Sequence, residues 1–132
     1  MTSARDVLST VPQPTVDIEQ IAQVIDALFA CERAASACAL AMVGEDQPMV
    51  SEVHAALDNA DLCQAAQRVL SRTAVQDGQV LRATLDACIA SCERSARECG
   101  AHTEYHGHCR VHSETARMCA DACRALLEAI AA

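Results

Sequence analysis

The sequence predicts an all-α protein, an antiparallel up-down four-helix bundle with a short N-terminal arm or helix. Hydrophobic residues make up 52% of the 132 residues, and many of them are alanine, the strongest helix former. Aromatic residues make up only 2%, and four glycines and three prolines are too few for the turns of an all-β sandwich. Apolar residues also recur every three or four positions over four long segments, as on the buried faces of helices.

The chain divides into a predicted arm, residues 1–14, and a predicted bundle with a cysteine-lined core, residues 15–132. Pro12 and Pro14 end the arm. Thr15 is the predicted N-cap of the first helix, and Gly44 is its predicted stop. The four bundle helices are predicted over about 15–43, 46–72, 79–100 and 108–131, with Asp77 and Gly78 in the turn before the third.

Charge and hydropathy exclude several classes of function. A net charge of −8 argues against nucleic acid as a partner, because phosphate binding needs a basic face. No stretch has the 18 or so apolar residues of a membrane span, and the N-terminus lacks the pattern of a secretory signal. The expected compartment is therefore the cytosol, where thiols stay reduced.

The cysteines are the most informative residues. There are nine, an odd number, and all are predicted to face the bundle core: Cys31, Cys38, Cys63, Cys88, Cys92, Cys99, Cys109, Cys119 and Cys123. One or two could be small core residues, but nine at positions where Leu or Val ordinarily pack point to metal ligands. Two CxxxC pairs support this, because residues four apart on a helix have Cβ atoms roughly 5–6 Å apart and can converge on one ion.

Copper(I) suits such a column of thiols best. Structural zinc sites and iron–sulfur clusters favour CxxC motifs on loops, and the sequence has none. Soft thiolates select Cu(I), which accepts two or three sulfur ligands. One Cu(I) per thiolate is neutral, whereas Zn²⁺ bound by four thiolates leaves a net charge of −2 in an apolar core. We therefore expect several Cu(I) ions per chain.

The antiparallel arrangement predicts that the two ends of the bundle differ. One end collects His102, His106, His108 and Met42, whereas leucines and other aliphatic residues close the other end. His112 lies among the core-facing cysteines of the last helix and is a further candidate ligand. Imidazole and thioether groups can both bind copper, so the pattern indicates loading from the histidine end.

These features resemble the bacterial cytosolic copper storage proteins. The resemblance covers roughly residues 16–131 and is most specific in the HxxxHxHCxxH run and the CADACRALL segment of the last helix. It implies a tetramer of four-helix bundles that store many Cu(I) ions on core cysteines, with His102, His106 and His108 lining the entrance. Ala35, Ser95, His112 and Ala116 stand at candidate thiol positions here, so we expect a lower copper load.

The predicted function is cytosolic storage or buffering of Cu(I), without catalysis. Two alternatives remain open at this stage. One is a Zn²⁺ or Cd²⁺ thiolate buffer, which metal preference would distinguish. The other is a structural helical protein stapled by disulfides between the Cys88/Cys92 and Cys119/Cys123 pairs, which a thiol titration would reveal.

Overall fold

Five helices form the computed structural model, which describes residues 3–10, 17–45, 49–72, 78–104 and 106–131. The helices are α1 (Ala4–Leu8), α2 (Ile18–Val43), α3 (Val50–Leu70), α4 (Gly78–Gly100) and α5 (Gly107–Ala131). The last four form the bundle in the cyclic order α2–α3–α4–α5, each packed against its two neighbours. The described residues contain helices and turns but no strand, so the predicted fold class is confirmed.

The N-terminal segment is a short helix within residues 3–10 rather than a loose arm. Ser3 and Asp6 form a capping box, in which each side chain accepts a hydrogen bond from the backbone N–H of the other at 3.1 Å. Leu8 is fully buried and packs with the bundle core. Pro12 and Pro14 lie outside the described residues, and the division into residues 1–14 and 15–132 remains a prediction.

Some helix ends differ from the predicted ones. The N-cap of α2 is Asp17 rather than Thr15, because the Asp17 carboxylate accepts the backbone N–H of Glu19 at 3.0 Å. Residues 15 and 46–48, which carried the predicted starts of the first two bundle helices, lie outside the described residues. Helices α4 and α5 each begin one residue earlier than predicted, at Gly78 and Gly107.

Aliphatic side chains fill one end of the bundle, which we call the closed end. Fully or almost fully buried residues there are Leu28, Leu70, Leu81, Leu85 and Leu126. Ile130 at this end is only partly buried, as is Val53 near the N-terminus of α3. No described helix is long and apolar enough to cross a membrane.

The opposite end, which we call the histidine end, holds a separate buried group with sulfur-containing side chains. Its buried residues include Cys38, Met42, Met49, Cys99 and Cys109. A cavity of about 410 Å³ opens beside them, between the C-terminus of α2 and the N-terminus of α3. The predicted difference between the two ends is therefore present in the structure.

Candidate metal centre

All nine cysteines are within the described residues and are completely buried, with 0% exposure. All are free thiols, so the alternative of a disulfide-stapled helical protein finds no support in the structure. Each bundle helix contributes at least one of them, because cysteines take the core-facing positions of an amphipathic pattern. The thiols lie in two clusters, which differ in their other ligands.

Six thiols form the closed-end cluster, which consists of Cys31, Cys63, Cys88, Cys92, Cys119 and Cys123. Cys31, Cys63, Cys92 and Cys119 come from four different helices, and their Sγ atoms all lie within 4.8 Å of one another. Cys88, Cys119 and Cys123 form a second group of the same compactness. The two groups share Cys119, and the Sγ atoms of Cys63 and Cys88 are 3.8 Å apart. This arrangement can bridge neighbouring ions through common thiolates.

Three thiols and two imidazoles form the histidine-end cluster, which consists of Cys38, Cys99, Cys109, His108 and His112. His108 Nδ1 lies 3.2 Å from Cys38 Sγ and 3.5 Å from Cys109 Sγ. His112 Nδ1 lies 3.4 Å from Cys99 Sγ, and the same ring completes a three-ligand group with Cys38 and Cys99. The other three-ligand group consists of Cys38, Cys109 and His108. Each of the two groups offers the two sulfurs and one nitrogen of a three-coordinate Cu(I) site.

A buried hydrogen bond between Asn59 and His112 connects the two clusters; His112 was a predicted ligand, whereas Asn59 was not predicted. Asn59 is fully buried in α3, where its Oδ1 accepts hydrogen bonds from His112 Nε2 at 2.9 Å and from the Cys31 thiol at 3.1 Å. Its Nδ2 donates to Ser91 Oγ at 3.0 Å and to Cys92 Sγ at 3.2 Å. The Asn59 amide therefore contacts both clusters. Its signal in the sequence was an amide four residues before Cys63, on the same helix face.

Replacing Asn59 with alanine is expected to lower the unfolding free energy of the copper-free protein by roughly 3 kcal/mol. The buried partners of its amide lose their hydrogen bonds, and an unsatisfied buried polar group costs about 1–3 kcal/mol. Urea unfolding measures the effect. Asp58→Ala is the control, because its neighbouring carboxylate is 63% exposed, pairs with Arg94 on the surface and is expected to contribute at most about 1 kcal/mol. Equal losses in the two variants would contradict the role of the Asn59 network.

The predicted entrance residues take different positions at the histidine end. His106 Nδ1 and His108 Nε2 lie 3.2 Å and 3.0 Å from the same Glu45 oxygen, so these three side chains form a partly exposed group. His102 instead lies 3.8 Å from the Glu52 carboxylate and joins none of the ligand groups found among the described residues. Met42 is buried, with 2% exposure. Glu45 was not among the residues predicted to line the entrance.

The thiols of the histidine-end cluster differ in acidity. A hydrogen bond from the Cys38 thiol, the largest single cause, lowers the pKa of the Cys99 thiol to about 5. The same contact with Cys99 raises the pKa of Cys38 above its ordinary value. Burial, and then the negative charge on Cys99, raise the pKa of Cys109 to about 11. One thiolate in the copper-free cluster is thus stabilised by neighbouring S–H groups, which themselves stay protonated.

Copper affinity of the histidine-end cluster is expected to fall as the pH falls. Below pH ~11, an ion that binds Cys109 displaces a proton, and binding weakens about tenfold per pH unit for each proton displaced. Below pH ~5, Cys99 also takes up a proton and the dependence steepens. Titration against a competing chelator, corrected for the chelator's own protonation, measures this slope. An affinity that does not change with pH would contradict the predicted protonation of Cys38 and Cys109.

Comparison of the sequence with known protein families agrees with a metal-binding role for this core. The sequence profile of the copper storage proteins matches residues 17–128, which include α2, α3 and α4 and all but the last three residues of α5. The chain belongs to the copper storage protein family. A comparison with curated protein sequences gives no significant match.

Two solved structures from Streptomyces lividans are similar to this family member. The copper storage protein Ccsp, loaded with 10 copper equivalents, is 37% identical with a TM-score of 0.92, over 96% of this chain and 99% of that chain. A cytosolic copper storage protein studied with five coppers is 38% identical with a TM-score of 0.81, over 83% of this chain and 93% of that chain. The likeness confirms the four-helix bundle with a short N-terminal helix.

Proposed function

We propose that this protein stores or buffers Cu(I) on thiolates in the bundle core and takes it up through the histidine end. The observation that carries the proposal is the complete burial of nine free thiols, which lie in overlapping three- and four-ligand groups. A protein that binds a single metal ion needs only one group of this kind. Overlapping groups that share thiols are suited to several ions held close together.

The proposed ligands are the nine cysteines and His112. The full set is Cys31, Cys38, Cys63, Cys88, Cys92, Cys99, Cys109, Cys119, Cys123 and His112. The proposed entrance consists of His102, His106, His108 and Met42, at the end of the bundle where the cavity opens. Two thiolates per ion would hold about four Cu(I) ions and full bridging about nine. The load of the similar Ccsp, 10 copper equivalents, supports a capacity of several ions.

A zinc-binding function has one observation in its favour. The four thiols of Cys31, Cys63, Cys92 and Cys119 could surround a tetrahedral Zn²⁺ ion. That site would carry a charge of −2 among fully buried aliphatic side chains, which is unfavourable, whereas Cu(I) thiolates are neutral. It would also leave the other five thiols without a role. Copper(I) therefore accounts for more of the structure.

The family and its structural relatives support further parts of the proposal. We place the protein in the cytosol, as the similar Streptomyces lividans protein is described as cytosolic. We assign it no catalytic activity, because each Cys–His contact among the described residues lies within one of the candidate ligand groups. We also propose a homotetramer; exposed apolar residues at the histidine end, Leu40 at 78%, Val43 at 71% and Val50 at 65%, offer surface for association.

Metal competition tests the proposed function. Fully reduced protein is titrated anaerobically with Cu(I) against a chromophoric chelator, and a parallel sample receives Zn²⁺. We expect tight uptake of several Cu(I) ions per chain and retention of copper when Zn²⁺ is added in excess. Uptake of at most one Cu(I), or displacement of copper by zinc, would refute storage of Cu(I).

A further inference from the structure

We propose that Glu45 is a positioning residue that holds the His108 imidazole in its Nε2–H form, so that Nδ1 is the nitrogen ligand of a Cu(I) ion shared with Cys38 and Cys109. The inference rests on the proposed storage of Cu(I) and concerns one site within it. It assigns a role to a carboxylate that the cysteine pattern does not include.

The position of Glu45 is fixed by the end of α2. The helix ends at Val43, and the backbone N–H of Glu45 then donates to the Met42 carbonyl at 3.2 Å. This turn directs the Glu45 side chain toward α5, where its Oε1 lies 3.0 Å from His108 Nε2. The two side chains are only 27% and 23% exposed, so water competes weakly for this contact.

The tautomer follows from the two contacts of the His108 ring. An ionised carboxylate can only accept hydrogen bonds, so the ring nitrogen facing Glu45 carries the proton. In a neutral imidazole the other nitrogen then has a free lone pair. That nitrogen, Nδ1, points between Cys38 Sγ at 3.2 Å and Cys109 Sγ at 3.5 Å. When Cu(I) binds, the thiols of Cys38 and Cys109 release their protons to solvent, and the ion is bound by the two sulfurs and Nδ1.

His106 contacts the same carboxylate from a second side. The Nδ1 atom of His106 lies 3.2 Å from the Glu45 oxygen that also contacts His108, and the centroids of the two imidazole rings are 5.3 Å apart. A competing assignment is that Glu45, His106 and His108 together bind a divalent ion directly, with His108 Nε2 as ligand. That assignment requires the proton on His108 Nδ1, facing the thiols, so the tautomer separates the two possibilities.

Histidine carboxylate pairs of this kind orient metal ligands and raise their basicity, and their loss costs about 10–100-fold in metal affinity. The matched control is Glu52. Its carboxylate also lies beside an imidazole at the histidine end, that of His102 at 3.8 Å, but that ring joins no described ligand group. Glu45→Ala and Glu52→Ala therefore remove the same charge from the same end of the bundle.

Histidine-labelled NMR spectra of the reduced protein test the proposal. In the wild type we expect the Nε2–H form of His108, and on addition of buffered Cu(I) a shift of its Nδ1 resonance. In Glu45→Ala we expect mixed tautomers and an Nδ1 shift that needs about 10–100-fold more free Cu(I). Glu45→Gln keeps an oxygen acceptor and should lie closer to the wild type, whereas Glu52→Ala should match it.

Two results would overturn the assignment. One is the Nδ1–H form of His108 in the wild type, which would favour a divalent-ion site. The other is a Glu45→Ala protein whose His108 signal responds to Cu(I) as in Glu52→Ala. A failure of the proposed storage function can be distinguished from these results. In that case Cu(I) would bind none of the thiols, but the His108 tautomer in the copper-free protein would still differ between the wild type and Glu45→Ala.

Discussion

Replacing Cys119 with alanine is expected to lower the copper capacity by about two ions and to weaken the copper that remains at the closed end. Cys119 belongs both to the four-thiol group with Cys31, Cys63 and Cys92 and to the three-thiol group with Cys88 and Cys123. Its loss leaves three thiols in one group and two in the other, so shared coordination between them is lost. Anaerobic titration followed by metal analysis of the desalted protein measures the capacity.

Cys109→Ala is the matched control for this experiment. Cys109 is equally buried, but it belongs to only one ligand group, at the histidine end. We expect it to cost about one ion, and we expect either substitution to destabilise the copper-free protein by only about 1 kcal/mol because the atom removed is small. Equal losses of copper from the two variants would contradict the central place of Cys119.

Leu85→Ala is expected to lower the unfolding free energy of the copper-free protein by about 2–5 kcal/mol. Bound copper should offset much of this loss of stability. Leu85 is completely buried at the closed end, so its removal leaves a cavity in the aliphatic core. Copper binds only the folded thiol arrangement and joins different helices. A site filled at 1,000 times its dissociation constant stabilises the fold by about 4 kcal/mol.

Urea unfolding of Leu85→Ala with and without Cu(I) measures both effects. Val111→Ala is the control, because this α5 side chain is 44% exposed and surface substitutions ordinarily change stability by at most about 0.5 kcal/mol. The copper capacity of both variants should equal that of the wild type. If Cu(I) leaves the unfolding free energy of Leu85→Ala unchanged, copper does not cross-link the folded helices.

The fold and the thiol positions could be predicted because they follow from one periodic pattern. Core-facing positions repeat every three or four residues, so the pattern that defined α4 and α5 also placed their cysteines inside. Ala35, Ser95, His112 and Ala116 stood at the same register, and the structure buries all four completely. The difference between the ends followed in turn from the antiparallel order of the helices.

Local contacts were not predictable in this way. The N-cap was placed at Thr15 because Thr, Ser and Asp are similar cap residues, and the structure selects Asp17. Asn59 and Glu45 were missed for another reason. Amide and carboxylate side chains are ordinarily solvated, and what distinguishes these two is a partner 53 or 63 residues away, His112 or His108. Such pairs depend on the relative rotation of packed helices, which periodicity leaves open.

The most direct test of the account is an anomalous difference map at the copper edge from crystals of the anaerobically loaded protein. We expect several copper peaks inside the bundle, among the thiols of the closed-end and histidine-end clusters. A peak between Cys38, Cys109 and His108 Nδ1 should be one of them. Copper found only on surface histidines, or a single ion in an otherwise metal-free core, would contradict storage of Cu(I) in the bundle.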